Sequence, residues 1–174
     1  MTTPFGYRPP SEPQLRLVRP NDVSTITNLD LKCYHYPMDL DEWKEFLQTI
    51  NDTNKVVVLE LGRRAVGFTA YELVEAIKEG DSYVQVTRLG VHPEYRDRGF
   101  GSMLVKNVET AARRMKADKV SFLVPEIHCC PGDPDDVTHF LNFNGYYASG
   151  VIEYNYKRMY GRVIDAFYFT KELV

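Results

Sequence analysis

Apolar and polar residues along this chain change period several times, and each change predicts a new element. Leu15 to Val18 alternates as a short first strand, after which Val23, Ile26 and Leu29 recur at helical spacing behind Asn21, a residue suited to capping a helix start. This first helix is expected to end near Tyr34, and Trp43, Leu47 and Ile50 mark a second. Lys55 to Leu61 reads as a strand, Gly62-Arg63-Arg64 as a turn and Ala65 to Val74 as the hairpin partner. Beyond the polar connection Glu75 to Asp81, the β-branched and aromatic run Tyr83 to Val91 predicts a central strand. Leu104, Val108, Ala111 and Met115 then repeat at helical spacing, which places a helix from Gly99 to about Lys116. Lys119 to Pro125 reads as a buried strand and Val137 to Asn144 as a short helix stopped by Gly145. Two last strands follow, near Tyr146 to Glu153 and Asp165 to Lys171. The class is mixed α/β, in the order β-α-α-β-β-β-α-β-α-β-β.

Composition limits what such a chain does. With 174 residues, 44% of them apolar, one domain with a substantial core is expected over residues 14–174. Met1 to Pro13 holds four prolines and little that can be buried, so it is expected to be a flexible tail. A net charge of -3 with scattered basic residues gives no footprint for nucleic acid. No stretch approaches the roughly 18 apolar residues of a membrane span, and the N-terminus lacks a signal peptide's basic start and apolar centre, so a cytoplasmic location is expected. Cys33 and the adjacent Cys129 and Cys130 read as free thiols. Neighbouring cysteines are poorly placed to bond each other or to turn to one ion, so no metal centre is expected even with His128 and Asp133 alongside.

The richest chemistry lies in Leu89 to Ser102, between the central strand and the helix after it. A helix start leaves backbone N–H groups unpaired and carries partial positive charge, so it attracts phosphate oxygens. Gly99 and Gly101 allow close backbone approach, and Arg96 and Arg98 add full charges. A dinucleotide-binding loop would need a third glycine and an early position in the chain, and a Walker loop would need Gly-Lys-Ser or Gly-Lys-Thr; neither is present. A purely structural glycine turn is the plain alternative.

Arg96-x-x-Gly99-x-Gly101 after a Val-x-Pro-x-x-Arg lead-in resembles the acetyl-CoA-binding signature of the GNAT N-acetyltransferase superfamily. The element order resembles the GNAT fold from about residue 14 to the end. That resemblance implies a mostly antiparallel mixed sheet of about seven strands with a splayed pair, flanked by about four helices. It implies acetyl-CoA as co-substrate, with Leu89, Gly90, Val91, Arg96, Asp97, Arg98, Gly99, Phe100, Gly101 and Ser102 as its binding stretch. The acetyl-pantetheine arm would lie in the splay against backbone groups of Leu89 and Val91, and a backbone N–H would polarise the thioester carbonyl.

Three further features resemble the N-terminal protein acetyltransferases, including the ribosomal-protein alanine type. They are Tyr36-Pro37 in the link between the first two helices, Leu89-Gly90-Val91 at the strand end, and Tyr154-Asn155-Tyr156-Lys157-Arg158 before the last strand. This implies that Tyr36, Pro37, Tyr154 and Tyr156 flank an acceptor peptide's N-terminus. The whole link Tyr34 to Asp39 is richer in aromatics than a connector needs and is a candidate substrate wall. Tyrosines that fill an interface with their rings and leave the hydroxyl wet are the bland alternative.

At the family's usual catalytic positions this chain differs. Gln85, Leu123 and Leu141 stand where relatives place a glutamate, a glutamate or histidine, and a tyrosine, and His128 stands where an asparagine is common, before a longer loop, Cys129 to Pro134. The local candidates for moving a proton are His128 and Glu126, with His139 on the short helix. The expected function is acetyl transfer to a primary amine, a protein or peptide N-terminal α-amine first, a polyamine, other small amine or lysine otherwise. A catalytically silent acyl-CoA-binding module is the alternative from another class.

Overall fold

Why the centre of this chain forms strands is visible in where its side chains go. The run Val56-Val57-Val58-Leu59 is apolar without alternation because its strand is buried on both faces: Val56 and Val58 pack with Trp43 and Ile26, while Val57 packs with Val105 and Val108 from the other side. A computed structural model describes residues 12–35, 37–75, 82–129, 136–159 and 162–173, with 152–159 and 162–164 given by their backbone. The chain runs β1 (Pro13–Leu17), α1 (Val23–Cys33), α2 (Leu40–Gln48), β2 (Asn54–Leu61), β3 (Arg64–Val74), β4 (Tyr83–Val91), α3 (Phe100–Arg114), β5 (Lys119–Pro125), α4 (Thr138–Phe143), β6 (Tyr147–Met159) and β7 (Arg162–Glu172). The seven strands form one sheet in the order β1-β2-β3-β4-β5-β7-β6, with the β4–β5 pair parallel and the others antiparallel.

Helices α1 and α2 cover one face through Ile26, Leu29 and Trp43, and α3 covers the other through Val105, Val108 and Ala112. The element order expected from the sequence is the order observed, and several details differ. Asn21 does not cap α1: Pro20–Asp22 forms a 3-10 turn, and the carboxylate of Asp22 is held by Arg16 at 2.6 and 2.9 Å and by the Arg19 N–H. Ile50 lies beyond the end of α2, whose start is fixed by a reciprocal box in which Asp39 accepts from the Glu42 N–H and Glu42 accepts from the Asp39 N–H, both at 2.9 Å. Arg64 opens β3 instead of closing the turn. The buried stripe of α3 is Leu104, Val105, Val108 and Ala112, rotated from the expected Ala111 and Met115, which are only partly buried. The last two strands extend well past their expected ends to form a long hairpin. Met1 to Ser11, Glu75's neighbours 76–81, and Cys130 to Asp135 lie outside the described residues, and Pro13 of the expected tail belongs to β1.

Candidate active site

The site is built by two strands that stop pairing. β4 and β5 run in register from Tyr83 with Lys119 to Val86 with Phe122, and among the described residues the pairing ends there. β5 continues against β7 as far as Pro125, whereas β4 continues against β3 to Val91. The departure coincides with a bulge: Ala70 pairs with Arg88 and Tyr71 with Val86, which leaves Thr87 as the extra residue and bends β4 away from β5. Threonine hydroxyls stabilise the bend, Thr69 donating to the Arg88 carbonyl at 3.0 Å and Thr87 to the Ala70 carbonyl at 3.2 Å.

The gap opens into a cavity of about 620 Å³ lined by Thr87 to Val91 on one side and Leu123 to Pro125 on the other. The start of α3 supplies its floor through Gly99, Phe100, Gly101 and Ser102, with Arg96 and Asp97 at the edge. Gly99 caps this helix in the left-handed conformation at φ 79°, and no side chain among the described residues caps it, so the first N–H groups of α3 are left to whatever enters. Gly101 is required for another reason: a Cβ there would lie 2.9 Å from the Phe140 ring of α4. The Arg96 Nε donates to the Val91 carbonyl at 3.2 Å. Arg98 does not face the cavity; it donates to the Glu94 carbonyl and covers the Tyr95 ring, which accounts for its exposed position.

The opposite wall comes from the link after α1. Tyr34 reaches the bend of β4, where its hydroxyl accepts from the Leu89 N–H and donates to the Leu89 carbonyl, each at 2.8 Å. Its ring meets His128 edge-on at 5.9 Å, His35 stacks on His128 at 5.5 Å, and the Arg88 guanidinium lies 4.9 Å above the Tyr34 ring. Burial pushes the Tyr34 phenol well above its ordinary value, against the opposing pull of its bond with Leu89, so it stays protonated. Arg88 is held in turn by Asp30, fully buried, whose two oxygens take Arg88 at 2.7 Å, the Met38 N–H at 2.7 Å and the Trp43 indole N–H at 3.0 Å. Burial pushes the Asp30 carboxyl upward and Arg88 opposes it; with three donors aimed at it, the ionised form satisfies every partner.

Of the expected catalytic candidates, His128 is buried and lines the cavity, at the end of a 3-10 turn that continues β5. Glu126, on the same turn, is exposed and does not line it, because residues two apart on a 3-10 turn, with about three residues per turn, point in different directions. His139 reaches the rim from α4, and Leu123 and Leu141 line the cavity with carbon, while Gln85 sits below the point of splaying. Pro37 is half-buried beside the link; Tyr36 lies outside the described residues, and Tyr154 and Tyr156 are on β6 with side chains that also lie outside them. Among the described residues no group of three or more histidines, cysteines or carboxylates is placed to hold a metal ion, and no helix is long and apolar enough to cross a membrane. Sequence reading named Tyr34 only as part of an aromatic link and missed Arg88 and Asp30; a charged residue inside an otherwise apolar central strand was the available signal.

The profile of the acetyltransferase (GNAT) family matches residues 23–130. No curated protein matches the chain by sequence. Among solved structures, NAA60 of Arabidopsis thaliana in complex with acetyl-CoA superposes with a TM-score of 0.73 at 13% identity, over 92% of this chain and 98% of that one. The ribosomal-protein-S18-alanine N-acetyltransferase of Escherichia coli gives 0.70 at 11% identity, over 93% and 94%. A spermidine N-acetyltransferase SpeG chimera from Vibrio cholerae and hSSAT gives 0.73 at 17% identity, over 94% and 96%.

Proposed function

The chain belongs to the acetyltransferase (GNAT) family and is an acetyl-CoA-dependent acetyltransferase, and we propose that its acceptor is the free α-amine of a protein or peptide N-terminus. The observation that carries this reading is the composition of the cavity wall. Tyr34 and His128, with His35 stacked on His128, give the wall a ring-lined side, and its lining carries Arg88 and Arg96 against Asp97 and Asp136, so no excess of carboxylate faces the cavity among the described lining residues. A polyamine, carrying several positive charges, calls for a wall rich in carboxylates. A peptide end offers one amine and an apolar or amide remainder, which rings accommodate. The likeness to an enzyme named for a ribosomal-protein alanine supports this acceptor, and the likeness to a spermidine enzyme makes spermidine the proper competitor in the test.

Acetyl-CoA supplies the acetyl group as a thioester. The residues present fit it: Gly99 to Ser102 offer uncapped N–H groups to phosphate, Arg96 adds charge, and Leu89 to Val91 line the gap where β4 stands apart. Phe122, Val124 and Phe100 give the arm an apolar bed. His128 is assigned the proton of the attacking amine, directly or through water.

An α-amine titrates at about 7.7 to 8.0 and a lysine side chain at about 10.4, so near neutrality a few hundred times more of the former is ready to attack. A site that relies on a buried histidine as its proton acceptor suits the acceptor that needs the least help. The test follows thiol release from acetyl-CoA with a panel of unblocked peptides, their Nα-blocked lysine-containing counterparts, and spermidine. Unblocked peptides are expected to turn over fastest, and spermidine exceeding all of them refutes the acceptor. Acetyl-CoA at a hundredfold excess over its Kd should also stabilise the protein by about 2.7 kcal/mol.

A further inference from the structure

The backbone groups at the bend of β4 are already engaged. Beyond Val86 that edge pairs with no strand among the described residues, and at Leu89, two residues past the bulge, both the N–H and the carbonyl are bonded to one side-chain atom, the Tyr34 hydroxyl oxygen at 2.8 Å. Tyr34 comes from the end of α1, 55 positions away, and three contacts fix its ring: Arg88 above it, His128 at its edge, and its own hydroxyl bonds. Arg88 is itself anchored by the buried Asp30. A phenol so placed is a built feature of the splay.

A phenol has one proton and two acceptor lone pairs. Here the proton points at the Leu89 carbonyl and one lone pair receives the Leu89 N–H. On the acetyl-CoA reading above, on which this inference rests, the thioester carbonyl comes to this same spot. We propose that Tyr34 is a catalytic residue: its hydroxyl, receiving the Leu89 N–H, is the donor that holds the thioester oxygen as negative charge develops. The change requires only rotation about the C–O bond, which turns the proton from the Leu89 carbonyl to the thioester oxygen while the oxygen keeps the Leu89 N–H. The Leu89 carbonyl is thereby released to accept an N–H of the attacking amine. The amine nitrogen then bonds to the carbonyl carbon, and the carbonyl π pair moves onto the oxygen held by Tyr34. When that pair returns, the C–S bond breaks and leaves with the sulfur, and the proton lost from nitrogen ends on the thiolate. Tyr34 donates a hydrogen bond throughout and gives up no proton, which suits a phenol kept neutral by burial.

The test compares native protein with Tyr34→Phe, and with a protein carrying a fluorinated tyrosine at position 34 that keeps the hydroxyl and sharpens its donor strength. Removal of an oxyanion donor should lower kcat by about 10² to 10³ while the KM for acetyl-CoA and its thermal shift are kept. The fluorinated protein, which needs no unpaired backbone group and so folds as the native does, should match or exceed native kcat. A readout independent of turnover is the infrared carbonyl band of bound, isotope-labelled acetyl-CoA, expected at higher frequency in Tyr34→Phe than in native protein. A kcat within threefold of native in Tyr34→Phe, or the same carbonyl band in both, overturns the proposal. Tighter acetyl-CoA binding with full kcat would show the hydroxyl to be only a competitor for Leu89, and overturns it too. Failure of acetyl-CoA to stabilise the native protein would strike the acetyl-CoA reading instead.

Discussion

Replacing Asp30 with alanine should damage both the fold and the site, and the size of the loss follows from its partners. The carboxylate is fully buried and receives three donors: the Arg88 guanidinium, the Met38 N–H and the Trp43 indole N–H. Removing one member of a buried ion pair costs about 3–5 kcal/mol, because the remaining charge is stranded. Arg88 keeps 16% of its side-chain surface exposed and can turn partly toward water, which argues for the lower end. The Trp43 and Met38 donors have no such escape, and each adds about 1–3 kcal/mol when left buried and unpaired. A total of at least about 5 kcal/mol, or roughly 10–20 °C in Tm for a domain of this size, is expected. Urea and thermal unfolding of native, Asp30→Ala and Asp30→Asn proteins measure it; asparagine retains one acceptor and should fall between. Arg88 also covers Tyr34, so kcat should drop in Asp30→Asn by more than its stability loss explains at a temperature where the protein is folded. A loss below about 1 kcal/mol in Asp30→Ala would refute the view that this carboxylate ties α1, α2 and β4 together.

Two further outcomes are expected. The Asp22 carboxyl is held below its ordinary value first by Arg16 and then by the Arg19 N–H, so its contribution is present above about pH 3.9, the unfolded value, and is lost as pH falls through the lower folded value; Asp22→Asn should therefore be less stable than native protein at pH 6, with the gap closing in unfolding experiments as the pH is taken well below 3.9. For His128→Ala, kcat should fall by about 10² to 10⁴ with acetyl-CoA affinity kept, and an unaltered rate-against-pH profile with one peptide would end the case for that imidazole as the proton acceptor.

What the sequence made legible was whatever repeats along a single strand or helix. The run Tyr83 to Val91 and the helix after it were readable because burial imposes a period on local positions. The reciprocal cap of α2, Asp39 with Glu42, is equally local, three residues apart at the helix start. The bulge at Thr87 was not readable, since a bulge is a mismatch of residue counts between two strands and appears in neither alone. Gly101 was readable as necessary and its reason was not: the atom that excludes a side chain there belongs to Phe140 on another helix. Tyr34 meeting Leu89 and Asp30 meeting Arg88 join positions 55 and 58 apart, beyond any local rule.

A parted strand pair creates a difficulty that the side chains around it resolve. Backbone N–H and carbonyl groups at such an edge must be bonded in every state of the protein, with or without a second strand beside them. Here Tyr34 bonds both groups of Leu89 and Arg96 bonds the Val91 carbonyl. On the proposed function, a co-substrate entering the splay therefore exchanges hydrogen bonds with the protein instead of adding them, and an exchange of equal bonds contributes little net free energy. Affinity for acetyl-CoA must then come from the uncapped start of α3 and from apolar contact with Phe100, Phe122 and Val124. The two side chains differ in what the exchange does to them. Arg96, displaced from Val91, can turn toward phosphate at the start of α3, exchanging a bond to a neutral carbonyl for one to an anion. Tyr34 is not displaced: a turn of its proton suffices, and the group that bonds both backbone groups of Leu89 is the group that meets the charge on the thioester oxygen.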